Sequence, residues 1–397
     1  MAYPVTKIEL NQNTITAALF NMIISQQVFD SKVASTELAD RFRVDGTLFG
    51  DTKLYHSFDI GSPEDWLNDA EAPNLLALNR NKSGKTQSIT MGIYKMISIT
   101  VDQYLSKQAF MREGTFAEYT SFLTGSLRKI KRVYDRSLIN TTIGTLTPST
   151  DRCDVRITTP TVENDLEATN RLEAQTIASE LVVLKADLED NNRDFNKLGY
   201  LRSYDANELI AVWNVKRRAK ITKLDLPTIF HKDINENGGF TEYDLPEKWF
   251  GTPATDDYTL ADGKESPALR RILYSGWYKV QDTSTVTMVS KPDNNSVFLW
   301  AGDEIPYKGQ EYIDNVRGVT VTVEANDIKA EDYYIVDPTI AFVLVHKSAL
   351  PYMSGFETGT EFWNARSLTT NHYLIFGHNN LEFLEEYPRI VVRVTQD

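Results

Sequence analysis

The chain has 397 residues, of which 41% are hydrophobic and 24% charged, and its formal net charge is −13 at pH 7. Such a length builds two or three lobes with cores of their own, and the composition is ordinary for a folded soluble protein. The charge excludes a protein that coats nucleic acid through its whole surface, because phosphate binding needs a basic face; it leaves room for a local basic patch and keeps free copies apart.

The first residues, "MAYPVTKIELNQNT", contain no apolar leader, and the longest apolar run, "TIAFVLV" around Phe342, is too short to span a bilayer. Synthesis and retention in cytosol are therefore expected. Over residues 13–29, Ile15, Leu19, Met22 and Ile23 fall on one face of a predicted helix. From Val44 to Lys85 the pattern is irregular, with Phe49, Tyr55, Phe58 and Trp66 scattered among polar residues. A loop of that length is rare in a compact domain, and aromatics without a local core imply ordering against something else.

The stretch "NRNKSGKTQ" ends in Gly84, Lys85 and Thr86, like a phosphate-cradling loop. Asn79 stands where the first glycine belongs. Beyond the loop the apolar residues alternate strictly, at Ile89, Met91, Ile93, Ile97, Ile99 and Val101, so a strand leaves it where a helix should. A solvated hairpin tip is the better reading. If extended, residues 89–101 span about 43 Å. With a returning leg at Leu54, Phe58 and Ile60 they form a two-stranded arm whose tip lies near Lys82 to Thr86.

Thr115 and Glu118 make a capping box ahead of a helix to about residue 141, about 39 Å long, with Phe122, Leu127, Tyr134 and Leu138 in its apolar stripe. Arg128, Lys129, Lys131, Arg132 and Arg136 lie on its outer face, either simply solvated or facing packaged nucleic acid. Cys153 is the only cysteine, so no intrachain disulfide forms, and a reducing compartment fits. Asn164 and Glu167 open a second helix from about Asp165 to Leu188. The cluster Lys216, Arg217, Arg218, Lys220 and Lys223 suits either nucleic acid or a neighbour's carboxylates.

In "DINENGGFTEYD", Asp233, Asn235, Asn237, Gly238 and Asp244 occupy positions of a calcium loop, but the closing residue is the shorter aspartate and the flanks do not read as helices. An Asn/Gly-rich surface loop is the competing reading. From Glu208 onward the elements are short strands, so helices precede strands and the class is α+β. The histidines His56, His231, His346, His372 and His378 are scattered; His372 and His378 would share a strand face, in a packing role. No metalloprotease or nucleophile-elbow motif occurs, and no enzyme or cofactor is expected.

This order of elements resembles the major capsid proteins of tailed bacteriophages, of the small short-tailed type, whose shell fold is shared with herpesviruses. The segment "IAFVLVHKSALPYMSGFETGTEFWNARSLTTNHYLIFGHN" (Ile340 to Asn379) and the block "ANELIAVWNVKRRAKI" carry the likeness at the residue level. The resemblance implies an N-terminal arm over 1–45, an extended E-loop over 46–100, a P-domain with its spine helix over 101–160, an A-domain over 161–350, and closing strands over 351–397. Residues 236–330 match nothing in the family and form either an inserted lobe or an elaborated A-domain. It further implies hexamers and pentamers of an icosahedral head assembled in the bacterial host cytoplasm, with portal or scaffold partners and double-stranded DNA inside. Phe49, Tyr55, Phe58, Ile89, Met91 and Ile93 are then expected to bury themselves on sister copies. A connector or tail ring component is the nearest alternative; a calcium-binding enzyme or glycan-binding protein is the alternative from another class.

Overall fold

The computed structural model describes residues 33–44, 50–63, 84–102, 113–162, 165–222, 239–263, 269–314 and 317–396. The helix expected over 13–29, Phe49, Trp66, Asn79, Lys82, Lys223, His231, Asp233, Asn235, Asn237 and Gly238, and the side chains of Thr115 and Glu118, lie outside the described residues.

In chain order the first part holds α1 (Glu37–Phe42), β1 (Arg43–Val44), β2 (Thr52–Ser57), β3 (Lys85–Asp102), α2 (Glu113–Gly144), β4 (Asp154–Thr159), α3 (Leu166–Glu189), β5 (Leu209–Asn214), α4 (Val215–Thr222) and β6 (Thr241–Leu245). Ten short strands come next: β7 (Gly251–Pro253), β8 (Tyr258–Thr259), β9 (Arg270–Ile272), β10 (Gly276–Lys279), β11 (Thr285–Val289), β12 (Ser296–Leu299), β13 (Glu311–Asp314), β14 (Val319–Thr322), β15 (Asp327–Ile328) and β16 (Tyr333–Val336). The chain closes with β17 (Ile340–His346), β18 (Tyr352–Asn364), β19 (Thr369–Asn379) and β20 (Arg389–Gln396).

The centre is a five-stranded sheet in the order β4-β20-β17-β5-β6. Every residue of β5 and β17 is buried, as expected of strands covered on both faces. Alternation then sorts their side chains into two cores. Ile210, Val212, Val343, Val345 and Val391 join Tyr134, Leu138, Ile139 and Ile143 of α2. Leu209, Ala211, Trp213, Phe342, Leu344 and Val392 join Ile177, Leu181, Leu184 and Leu188 of α3. The cap of α3 is Asp165, whose carboxylate accepts from the Ala168 N–H at 2.9 Å; the expected cap Asn164 lies outside the described residues. Helix α2 ends at Gly144, where a methyl group would collide with the Trp249 carbonyl, a close approach that only glycine permits.

A second sheet runs β1-β18-β19-β3-β2. Strand β3, 18 residues long, pairs with β2 along its first third and with β19 along the rest, both antiparallel. At 3.3 Å per residue it extends about 60 Å. The β18–β19 turn lies at its far end, where Thr369 is opposite Asp102.

Strands β7 to β16 surround a core of their own, including Tyr278, Val280, Val286, Leu299, Val321 and Ile328. At its margin Asp332 is almost fully buried, and burial beside Glu331 pushes its carboxyl up to about 6. A folded-state value above the unfolded one near 4 contributes stability that is complete below pH 4 and is lost as pH rises through 6. Asp332→Asn should therefore gain thermal stability over the parent as pH climbs from 5 to 7.5. Paired calorimetric scans across that range test it, and a variant that melts lower at pH 7.5 would refute the assignment.

Candidate assembly surfaces

The inner face of the arm sheet is not free. Ile89 and Met91, expected to pack on sister copies, are buried against Met353 and Leu384 of their own chain, with Tyr55 at the edge of the same cluster and Ile93 half-buried nearby. The physical reason is register: β18 and the turn before β20 fold beneath the first half of β3, so the alternating apolar face meets an intrachain floor. Phe58 does expose its ring, but the segment that bears it is tied down. Its carbonyl accepts from Arg202, and the Asp59 carboxylate accepts from Arg193 at 2.6 Å and from the Leu201 N–H at 3.0 Å. The hydrogen bond from Arg193 holds the Asp59 carboxyl below its ordinary range.

The outer face and far end of this sheet are different. Paired residues share a face, so the register places Leu54, Met96, Ile375, Tyr373 and Phe362 on the side away from α2. Leu54 is 58% exposed, Met96 61% and Phe362 64%. Phe362 meets the Tyr373 ring edge-on, with centroids 6.1 Å apart. Its neighbour Trp363, on the opposite face, is 51% exposed, and Leu368 projects from the turn at φ +54°, a backbone conformation uncommon for a leucine. The Asn364 side chain closes the turn by accepting from the Arg366 N–H at 3.1 Å. Sequence reasoning missed Phe362, Trp363 and Leu368 as surface residues; an aromatic pair abutting the polar turn "NARS" is the signal that was there to be read.

The five basic residues predicted on α2 do not form one face. Arg128 and Arg132 are exposed, one helical turn apart. Lys129 is half-buried with its ammonium 5.6 Å from the centroid of the Phe122 ring, and Arg136 donates to the Ser35 carbonyl. Lys131 points inward: it donates to Asp135 at 3.1 Å and to the Ser354 hydroxyl at 3.3 Å, and lies 3.5 Å from Glu357. Asp135 also accepts from the Tyr352 hydroxyl at 2.7 Å and lies 3.6 Å from Arg43. Beside this network the Tyr134 hydroxyl meets His378 Nε2 at 2.9 Å; burial pushes the His378 imidazole down and the Tyr134 phenol up. Asp135 lies one turn from Lys131, which draws that lysine beneath the sheet.

The described residues of the second basic cluster pair with carboxylates of their own chain. Arg217 pairs with Glu173 at 2.6 Å, Lys216 with Glu247 at 2.9 Å, and Arg218 with Asp244 at 2.7 Å and with Glu242. Asp244, the closing residue of the calcium pattern, is thereby engaged by an arginine. Lys85 opens a strand, and the Thr86 hydroxyl contacts His56 Nδ1 at 2.9 Å.

A family model of Phi29-like phage major capsid proteins matches residues 3–379. The chain belongs to that family. No curated protein matches it. The capsid of Staphylococcus phage Andhra is similar in structure, with a TM-score of 0.56 at 12% identity, covering 95% of this chain and 90% of that one. A chain from the structure of the head fiber and inner core protein gp22 of native bacteriophage P68 is similar at a TM-score of 0.54 and 10% identity, covering 94% and 88%. The fold is that of phage capsid proteins, and this capsid protein is a structural subunit of an icosahedral virion shell built from many copies.

Proposed function

We propose that this capsid protein closes hexamers and pentamers into the head of a small tailed phage through the outer face and far end of its arm sheet. The observation that carries this is the exposed set Leu54, Met96, Phe362 and Trp363, placed on a sheet whose other face is already buried along its first half. Large apolar side chains left exposed on one sheet mark an interaction surface. The E-loop role of residues 46–100 narrows accordingly: Phe58 and Leu54 offer apolar surface to a sister copy, whereas Ile89 and Met91 hold the arm to its own body. The head is assembled in the bacterial cytoplasm with portal or scaffold proteins and encloses double-stranded DNA. Electron microscopy of the purified protein tests the reading: closed cages support it, single rings of fixed copy number favour a connector, and dispersed monomers under all conditions refute it.

The DNA-facing role falls to Arg128 and Arg132. With both replaced by glutamate, shells should form at the parental yield but hold less DNA, because like charge repels the packaged phosphates. The ratio of absorbance at 260 to 280 nm in purified heads reads this out; unchanged DNA content would assign the pair to solvent.

A further inference from the structure

A pocket of about 790 Å³ opens at the root of the arm, where β1, the paired ends of β2 and β3, the β17–β18 loop and the turn before β20 meet. Buried Phe42, Ile210, Pro351 and Leu384, with half-buried Tyr55 and Tyr387, give it an apolar floor. Exposed Arg41, Arg43, Lys85 and Lys347 stand around it against two carboxylates, Glu385 and Glu386. Both carboxylates are engaged by cations outside the pocket, Lys197 at 2.7 Å and Arg202 at 2.9 Å. Arg43 and Lys347 have carboxylate partners as well. Among the described residues Arg41 and Lys85 make no ion pair; Arg41 donates only to the Tyr243 hydroxyl, at 2.8 Å. On a chain of net charge −13 the pocket thus gathers four cations against two carboxylates over an apolar floor, with Lys85 adding to Lys197 in holding the Glu385 carboxyl below its ordinary range.

The β18–β19 hairpin tip has the complementary chemistry. It is apolar on both faces, Phe362 on one and Trp363 on the other, so a flat surface can cover only half of it and an enclosing pocket is needed. Glu361, 68% exposed in its side chain and 3.2 Å from His372 Nδ1, stands beside them. The tip lies beside the Asp102 end of β3, whereas the pocket includes Lys85 at the other end, about 60 Å away along an extended strand. A rigid sheet cannot deliver its own tip to its own pocket.

We infer that the hairpin tip of one copy inserts into the arm-root pocket of the next, with Phe362 and Trp363 on the apolar floor and Glu361 facing Lys85 and Arg41. The contact joins different surfaces on the two copies, the head-to-tail geometry that generates rings when its rotation closes. The inference rests on the assembly role proposed above for the hairpin. A bare phosphate chain is a poorer occupant, since it has no apolar surface to lay on the floor.

The test places a benzophenone amino acid at Ala365 in the tip and assembles the protein from a mixture of isotope-labelled and unlabelled copies. Crosslinks between chains, from position 365 to the vicinity of Tyr55, Leu384 and Tyr387, are expected. In parallel, Lys85→Glu should cut assembly yield about tenfold, and Glu361→Lys added to the same chain should restore it. Shells whose crosslinks map elsewhere, or a charge exchange without rescue, overturn the head-to-tail contact and leave the assembly role standing. An unmodified protein that forms no shells at all removes both.

Discussion

Replacing Phe362 and Trp363 together with serine should leave a folded subunit that no longer forms cages. Both rings are more than half exposed, so the fold loses little when they go. Each aromatic side chain carries roughly 150–250 Å² of burial capacity, and covering the exposed half of two rings contributes about 4 kcal/mol at 25 cal/mol per Å². That corresponds to nearly a thousandfold in one contact constant, and a shell repeats the contact through every subunit. Unchanged far-ultraviolet circular dichroism with a monomer peak on sizing columns is the expected pair of results. Cages at parental yield would show that the hairpin tip is simply a solvated loop.

Asp135→Ala should be the most destabilising single substitution outside the apolar cores. The carboxylate is 2% exposed and is shared by the Lys131 ammonium, the Tyr352 hydroxyl and Arg43. Removing it leaves the buried Tyr352 hydroxyl without its acceptor and the buried Lys131 ammonium with only Ser354 and the half-exposed Glu357, and breaking comparable buried pairs costs about 3–5 kcal/mol. Asp135→Asn retains an acceptor for Tyr352 and should cost less. Urea unfolding of the unassembled subunit measures both, and a loss below about 1 kcal/mol for the alanine variant would mean that water already reaches the network. Because Lys131 and Asp135 belong to α2 while Tyr352 and Ser354 belong to β18, the network sets how the arm sheet sits on the long helix.

Much of the local structure was legible in the residues. Strict alternation from Ile89 to Val101 announced a strand, and the chain forms β3 from Lys85 to Asp102. The three-and-four spacing through Tyr134 and Leu138 announced a long helix, present from Glu113 to Gly144. Two blocks, around "IAFVLVH" and "ELIAVWNV", pointed to a phage capsid protein, the family to which the chain belongs. They form β17 and β5, the adjacent buried strands of the central sheet.

What the pattern could not say is which partner covers each apolar face. Ile89 and Met91 needed burial on any reading, but alternation is silent on whether the cover is a sister copy or Met353 and Leu384 of the same chain. The basic residues of α2 look alike on a helical wheel, yet Arg128 and Arg132 stay in solvent while Lys131 is drawn under the sheet by Asp135 and Ser354. Periodicity is a property of neighbours along the chain, and so the sequence by itself determined the elements and the family. Register and packing join residues hundreds of positions apart, and only the tertiary structure decided which surfaces are spent inside the subunit and which, like Phe362 and Trp363, stay exposed.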